Sequence, residues 1–154
     1  MFDRMYAYAY RLTGQHCDAE DVVQTVCVRA TANADKVLAA ASSEAYVIRI
    51  VRNEAMRLMS QNAKQHVSEF KSDVEDERLD SFDAVDQSDT IQTALACLTL
   101  EHRAIVLAYY FEDQTYQEIA DQFSIPIGTV MSRLSRAKSM LRDCLKESVE
   151  KCDL

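Results

Sequence analysis

The stretch SIPIGTVMSRLSRAKSMLR, Ser124 to Arg142, carries four cations and no carboxylate. On a helix turning by about 100° per residue, Val130, Leu134, Ala137, Leu141 and Leu145 form a narrow apolar stripe. Thr129, Ser132, Arg133, Ser135 and Arg136 occupy the rest of the first three turns, with Lys138 at the margin. Small hydroxyl side chains let a helix come close to the floor of a major groove, and arginines reach guanine edges or phosphates. The competing reading is the wet face of an ordinary helical hairpin. The residues upstream favour the first. Thr115-Tyr116-Gln117-Glu118 is a capping-box pattern, and Ile119, Ala120, Phe123 and Ile125 are spaced as a helix-turn-helix requires. Ala120 is small where the two helices would cross, and Pro126 falls in the first turn of the last helix, where a missing N–H costs nothing.

A second face lies between residues 46 and 58. Val47, Ile50, Val51, Ala55 and Leu58 fall on one side of a helix, and Tyr46, Arg49, Arg52, Asn53 and Arg57 on the other. The polar side offers guanidinium forks for phosphates, a ring for an unstacked base and an amide for a base edge. Periodicity alone leaves that reading level with a solvated face.

The elements that must position these faces are helices. The chain has 154 residues, only two glycines and one proline, too few to turn a sheet. A first helix is expected from about Phe2 to Thr13, stopped by Gly14. A second begins near Asp18, with Glu20 and Asp21 in the first turn, where the helix dipole favours anions. A third follows Ser42-Ser43 and runs to about Gln65. Further on, Asp89 can cap a helix through Leu98 and Thr99 another through Phe111.

Charge divides the chain. The formal net charge is −8, yet residues 1–66 hold eight cations and seven anions, and residues 91–154 seven cations and nine anions. Residues 67–90 hold two cations and nine anions without a sustained helical period, which reads as a flexible acidic linker. The expected fold is all-α, with two small helical domains, 1–66 and 91–154, the second a four-helix domain with a helix-turn-helix.

Other chemistries find little support. Five cysteines without CxxC spacing argue against a disulfide framework and a zinc site, and no metal or cofactor is expected. Nothing pairs a nucleophile with a base, so the chain is not expected to be an enzyme. No apolar run approaches the roughly 20 residues of a membrane span. The N-terminus does not read as a signal peptide, so a cytoplasmic location is expected.

YRLTGQHCDAEDVVQTVCVRA (Tyr10–Ala30) and EHRAIVLAYYFEDQTYQEIADQFSIPIGTVMSRLSRAKSMLR (Glu101–Arg142) resemble the two domains of extracytoplasmic-function (ECF) sigma factors of bacterial RNA polymerase. YVIRIVRNEAMRLM (Tyr46–Met59) is similar to the helix that family uses on the downstream promoter element. The resemblance implies three tasks. Asp18, Glu20, Asp21 and Gln24 would dock on the clamp helices of the largest subunit of core RNA polymerase. Tyr46, Arg49, Arg52, Asn53 and Arg57 would open and hold the minus-ten element. Thr129, Ser132, Arg133, Ser135, Arg136 and Lys138 would read the minus-thirty-five element as duplex. Core polymerase and promoter DNA are the implied partners, with an anti-sigma factor as a further candidate and no membrane. Two rivals stand beside this reading, a polymerase-independent helix-turn-helix regulator and a degenerate sigma-like protein acting by interaction alone.

Overall fold

The computed structural model describes residues 1–68 and 87–152, with side chains through residue 63 and from 90 to 146. All eight described elements are helices. Helix α1 (Phe2–Thr13) buries Met5, Tyr8, Ala9 and Leu12, the i, i+3, i+4, i+7 spacing of a one-sided helix. It stops at Gly14, where φ is 80° and the N–H bonds the carbonyl of Tyr10 at 2.8 Å. A side chain at that φ would be strained, which is why glycine ends the helix there. Helix α2 (His16–Ala32) starts two residues earlier than expected, so Asp18 is the carboxylate in its first turn. It buries Ala19, Val22, Val23 and Val26.

Helix α3 (Ala34–Ala39) was not expected. Six residues with no buried side chain offer less than two turns of periodicity, too little for a sequence pattern to show. Helix α4 (Ser43–Ser68) buries Val47, Ile48, Val51 and Ala55 and packs with α1 and α2 into the first unit.

The second unit comprises α5 (Gln87–Ala96), α6 (Leu100–Tyr110), α7 (Tyr116–Phe123) and α8 (Ile127–Cys152). Thr99 caps α6 through a hydroxyl that accepts the N–H of His102. The capping box at α7 is complete: Thr115 Oγ1 accepts the N–H of Glu118 at 3.2 Å, and Glu118 Oε2 accepts the N–H of Thr115 at 2.7 Å. Ser124, at φ 52°, makes the turn between α7 and α8. Pro126 sits just before α8, not within its first turn, and its carbonyl accepts the N–H groups of Thr129 and Val130. Ile119 and Ala120 of α7 and Val130, Leu134 and Ala137 of α8 are buried.

The acidic linker lies largely outside the described residues. Helix α4 continues to Ser68 and α5 begins at Gln87, so helices cover both ends of the span expected to be linker. The cysteine expectation needs correcting. Cys97 and Cys144, 47 residues apart in sequence, form a disulfide that ties the end of α5 to α8, while Cys17 and Cys27 are free. No local spacing announces such a pair, because the helical packing brings it together.

The units also share a core. Helix α1 packs on α5 and α6, and α4 packs on α6. Arg103 of α6 is 8% exposed, and its guanidinium donates to the carbonyls of Leu12 (2.8 Å), Leu95 (2.9 Å) and Leu98 (3.2 Å). One side chain thus bonds carbonyls at the ends of α1 and α5 together. Burial pulls the Arg103 guanidinium below its usual value. Gln92 Nε2 adds a bond to the carbonyl of Tyr10 at 3.2 Å.

Candidate nucleic-acid and polymerase surfaces

The turn at Ser124 brings α8 out of α7 with its apolar stripe inward and its polar side to solvent. Ser132, Ser135, Arg136 and Lys138 are exposed, while Thr129 is half-buried and accepts the Ser132 hydroxyl at its carbonyl, 3.0 Å away. Arg133 is half-buried and engaged: its Nη2 lies 3.0 Å from Oε2 of Glu101 in the first turn of α6. Lys138 Nζ lies 5.8 Å from the Tyr109 ring centre and 5.7 Å from that of Tyr110. The hydrogen bond that its ammonium donates to Tyr110 holds it above the usual lysine value. The structure brings all six residues onto the open side of one helix, with no acidic residue in its first turn.

The α4 face comes out less uniform. Tyr46 is half-buried, Arg49 and Asn53 are exposed, and the Arg49 guanidinium lies 5.2 Å from the Tyr46 ring centre. Arg57 is exposed but donates Nε to Glu54 Oε1 at 3.1 Å and Nη1 to Gln61 at 3.0 Å. Arg52 departs from the expected solvent-facing arc. Its side chain is 2% exposed and pairs with Glu112 at 3.0 Å. On the wheel it lies about 40° from Ile48, at the edge of the buried arc. A cation at that edge turns inward once a carboxylate meets it there, and Glu112, 60 residues away, does so.

Sequence reasoning also missed Glu54. Its side chain is 3% exposed, with Oε2 2.6 Å from Arg29 of α2 and Oε1 bonded by Arg57. The Arg57 hydrogen bond, aided by the charge of Arg29, holds the carboxyl below its ordinary value against the opposing effect of burial. A carboxylate whose folded value is depressed stabilises the fold above its unfolded value and loses that contribution as pH falls through the folded one. Glu54→Gln is therefore expected to cost about 1 kcal/mol at neutral pH. Urea melts of both proteins should converge as pH falls through the depressed folded value of this carboxyl. A gap that persists there would assign the effect to packing.

On α2, Glu20, Asp21 and Gln24 are exposed and Asp18 is half-buried. Burial, then the nearby charge of Asp21, raises the Asp18 carboxyl above its usual value. The four form one polar surface within the first three turns of the helix, away from the packed Val22, Val23 and Val26. Among the described residues no helix is long and apolar enough to cross a membrane, and no cluster of His, Cys, Asp and Glu is arranged to hold a metal.

Residues 2–65 match the sigma-70 region 2 family and residues 88–141 the sigma-70 region 4 family. The chain is 31% identical over 147 residues to the ECF RNA polymerase sigma factor SigL of Mycobacterium tuberculosis, covering 93% of this chain and 83% of the relative. It is 25% identical to SigW of Bacillus subtilis, covering 94% and 84% of the two chains. With SigE of Mycolicibacterium smegmatis it shares 30% identity over 93% of its own length but 58% of the relative's. Among solved structures, the sigma factor RpoE in complex with the anti-sigma factor NepR from Bartonella quintana matches with a TM-score of 0.68 and 27% identity, covering 94% of this chain and 91% of that one. Two sigma-70 regions in order, the first carrying the α2 and α4 surfaces and the second the α8 face, place this chain in the ECF family of RNA polymerase sigma factors, non-enzymatic proteins that direct transcription initiation.

Proposed function

We propose that the chain binds core RNA polymerase and selects promoters through three separate surfaces. The α2 surface of Asp18, Glu20, Asp21 and Gln24 docks on the clamp helices of the largest subunit. The α4 face, now Tyr46, Arg49, Asn53 and Arg57, holds the minus-ten element as single strand. The α8 face of Thr129, Ser132, Arg133, Ser135, Arg136 and Lys138 reads the minus-thirty-five element as duplex. The observation that carries this reading is the solvent-facing, carboxylate-free edge of α8 behind a complete capping box and a three-residue turn.

The mechanism is differential binding. Ring stacking and phosphate contacts on α4 offset the few kcal/mol that unstacking a base costs. Duplex contacts on α8 set the register, and joining both faces in one chain raises the effective concentration of the second contact. A net charge of −8 weakens binding of the free chain to DNA, so recognition awaits the complex with polymerase. The location consistent with this role is the cytoplasm. An anti-sigma factor, as in the complex of the Bartonella quintana relative, is the further partner class we propose.

Arg136→Ala is expected to weaken binding of the polymerase complex to minus-thirty-five duplex by about 1–3 kcal/mol, the value of a good base contact. Unchanged affinity would return Arg136 to the solvated-face reading. The burial of Arg52 favours one alternative, a sigma-like protein that docks on polymerase without opening DNA. Run-off transcription with reconstituted core enzyme separates the two, since core binding without an open complex supports only the alternative.

A further inference from the structure

The first two turns of α8 carry two apolar side chains that the fold does not use. Ile127 is 44% exposed and Met131 53%, and neither belongs to the core that holds Val130, Leu134 and Ala137. They stand four residues apart, so they are neighbours on one side of the helix. A lone exposed apolar residue is ordinary on a protein surface. These two stand where a helix-turn-helix presents side chains to base edges, on the N-terminal turns of its second helix.

Their surroundings leave them prominent. Gly128 has no side chain, and a Cβ there would meet nothing within 4 Å, so the helix backbone is open at that turn. The Ser132 hydroxyl turns back to donate to the Thr129 carbonyl at 3.0 Å, which keeps that side chain low against its own helix. Arg133 is the one cation in residues 127–133, and Glu101 of α6 holds it at 3.0 Å. Those residues therefore offer a duplex no free charge, and the longest exposed side chain among them is a thioether.

A methionine has no N–H or O–H to donate, so it cannot read the acceptors of guanine or hold a phosphate. The major groove displays one apolar group, the C5 methyl of thymine. An unbranched thioether adapts to an irregular surface and gains by covering that methyl from water. Two side chains make too small a patch for a stable protein interface. The exposed cations further along α8, Arg136, Lys138 and Arg142, favour a polyanion as the occupant.

We propose that Met131, backed by Ile127, is a specificity residue of the α8 face: it covers the C5 methyl of one thymine in the minus-thirty-five duplex and so selects thymine over cytosine at that base pair. Cytosine has no methyl to cover, and its amino group would face a thioether, a poor acceptor. The proposal rests on the assignment of α8 to that duplex.

The test uses the complex of the full chain with core polymerase and two pools of random-sequence duplexes long enough to span both promoter elements. One pool is synthesised with thymine and the other with uracil, which lacks only the methyl. Sequencing of the bound duplexes should show the parent chain enriching thymine at one position of the upstream element, with uracil enriched about fourfold less, as burial of one methyl group predicts. Met131→Ala should remove that difference and Met131→Leu should keep it. Both changes fall at an exposed position and should leave the urea midpoint unchanged. Equal enrichment of thymine and uracil by the parent at every upstream position overturns the methyl contact. The α8 assignment then survives if Arg136→Ala still erases a base preference in the upstream element, and falls if it does not. A methyl preference that Met131→Ala leaves intact overturns the proposal and gives the contact to another side chain. Loss of core binding by Met131→Ala, with base preference unchanged among the duplexes still bound, overturns it too and gives the side chain to a protein partner.

Discussion

Arg103→Ala is expected to lower the free energy of unfolding by about 3–5 kcal/mol, at the upper end of what single substitutions do. The reason is the number of carbonyls that depend on one side chain. Leu12, Leu95 and Leu98 each lose a charge-assisted bond, although the Leu95 carbonyl keeps the backbone N–H of Leu98 at 3.1 Å. The space left by a guanidinium is large and polar enough to admit water, which keeps the cost below the sum of three stranded acceptors. For a domain of this size the loss corresponds to a fall in melting temperature of roughly 10 °C. Arg103→Lys should recover only part of it, because an ammonium cannot reproduce the planar fork that reaches three acceptors in different directions. Thermal and urea melts decide the matter. A loss under about 1 kcal/mol would mean that water serves the carbonyls as well as arginine does.

The second large effect falls within the helix-turn-helix. Leu134 is 2% exposed on the inner side of α8, in the core formed with Ile119, Ala120 and Val130. Leu134→Ala removes three carbons from a site whose walls are helices and cannot collapse freely, at an expected cost of about 3 kcal/mol. The unit that presents the duplex-reading face should therefore melt earlier in urea, and duplex binding should fall with the folded fraction. The contrast with Arg136→Ala separates presentation from contact. Arg136 is exposed and outside the core, so its replacement should leave the urea midpoint unchanged while weakening the duplex. If Leu134→Ala left the midpoint where it was, α8 would not be held by this core.

Local chemistry made much of the architecture legible. Gly14 marks the end of α1, Thr99 caps α6, and Thr115 with Glu118 opens α7, because each feature acts within four residues of itself. The polar face of α8 was equally readable, since its apolar stripe is narrow and Ser132, Ser135, Arg136 and Lys138 beside it are exposed. What escaped depends on partners distant in sequence. A helical wheel counts arginine as polar and sends it outward, so Arg52 joins the DNA-facing arc until Glu112 is placed beside it. Glu54 was lost for the same reason, its cations lying on a neighbouring helix and one turn along. The disulfide between Cys97 and Cys144 follows from packing that no spacing rule encodes. The shared core escaped too, because a charge discontinuity at 67–90 suggests independent domains whether or not they touch.

The rings of Tyr109 and Tyr110 beneath Lys138 have a consequence for how that lysine meets an anion. A free lysine side chain samples many rotamers, and fixing it at a contact forfeits up to about 2 kcal/mol of conformational entropy. Here much of that freedom is surrendered when the domain folds, not when a ligand arrives. The ammonium waits near one position, held weakly enough by the two rings to move and closely enough that little disorder remains to be lost. On this helix lysine gains some of the readiness that arginine owes to its rigid plane.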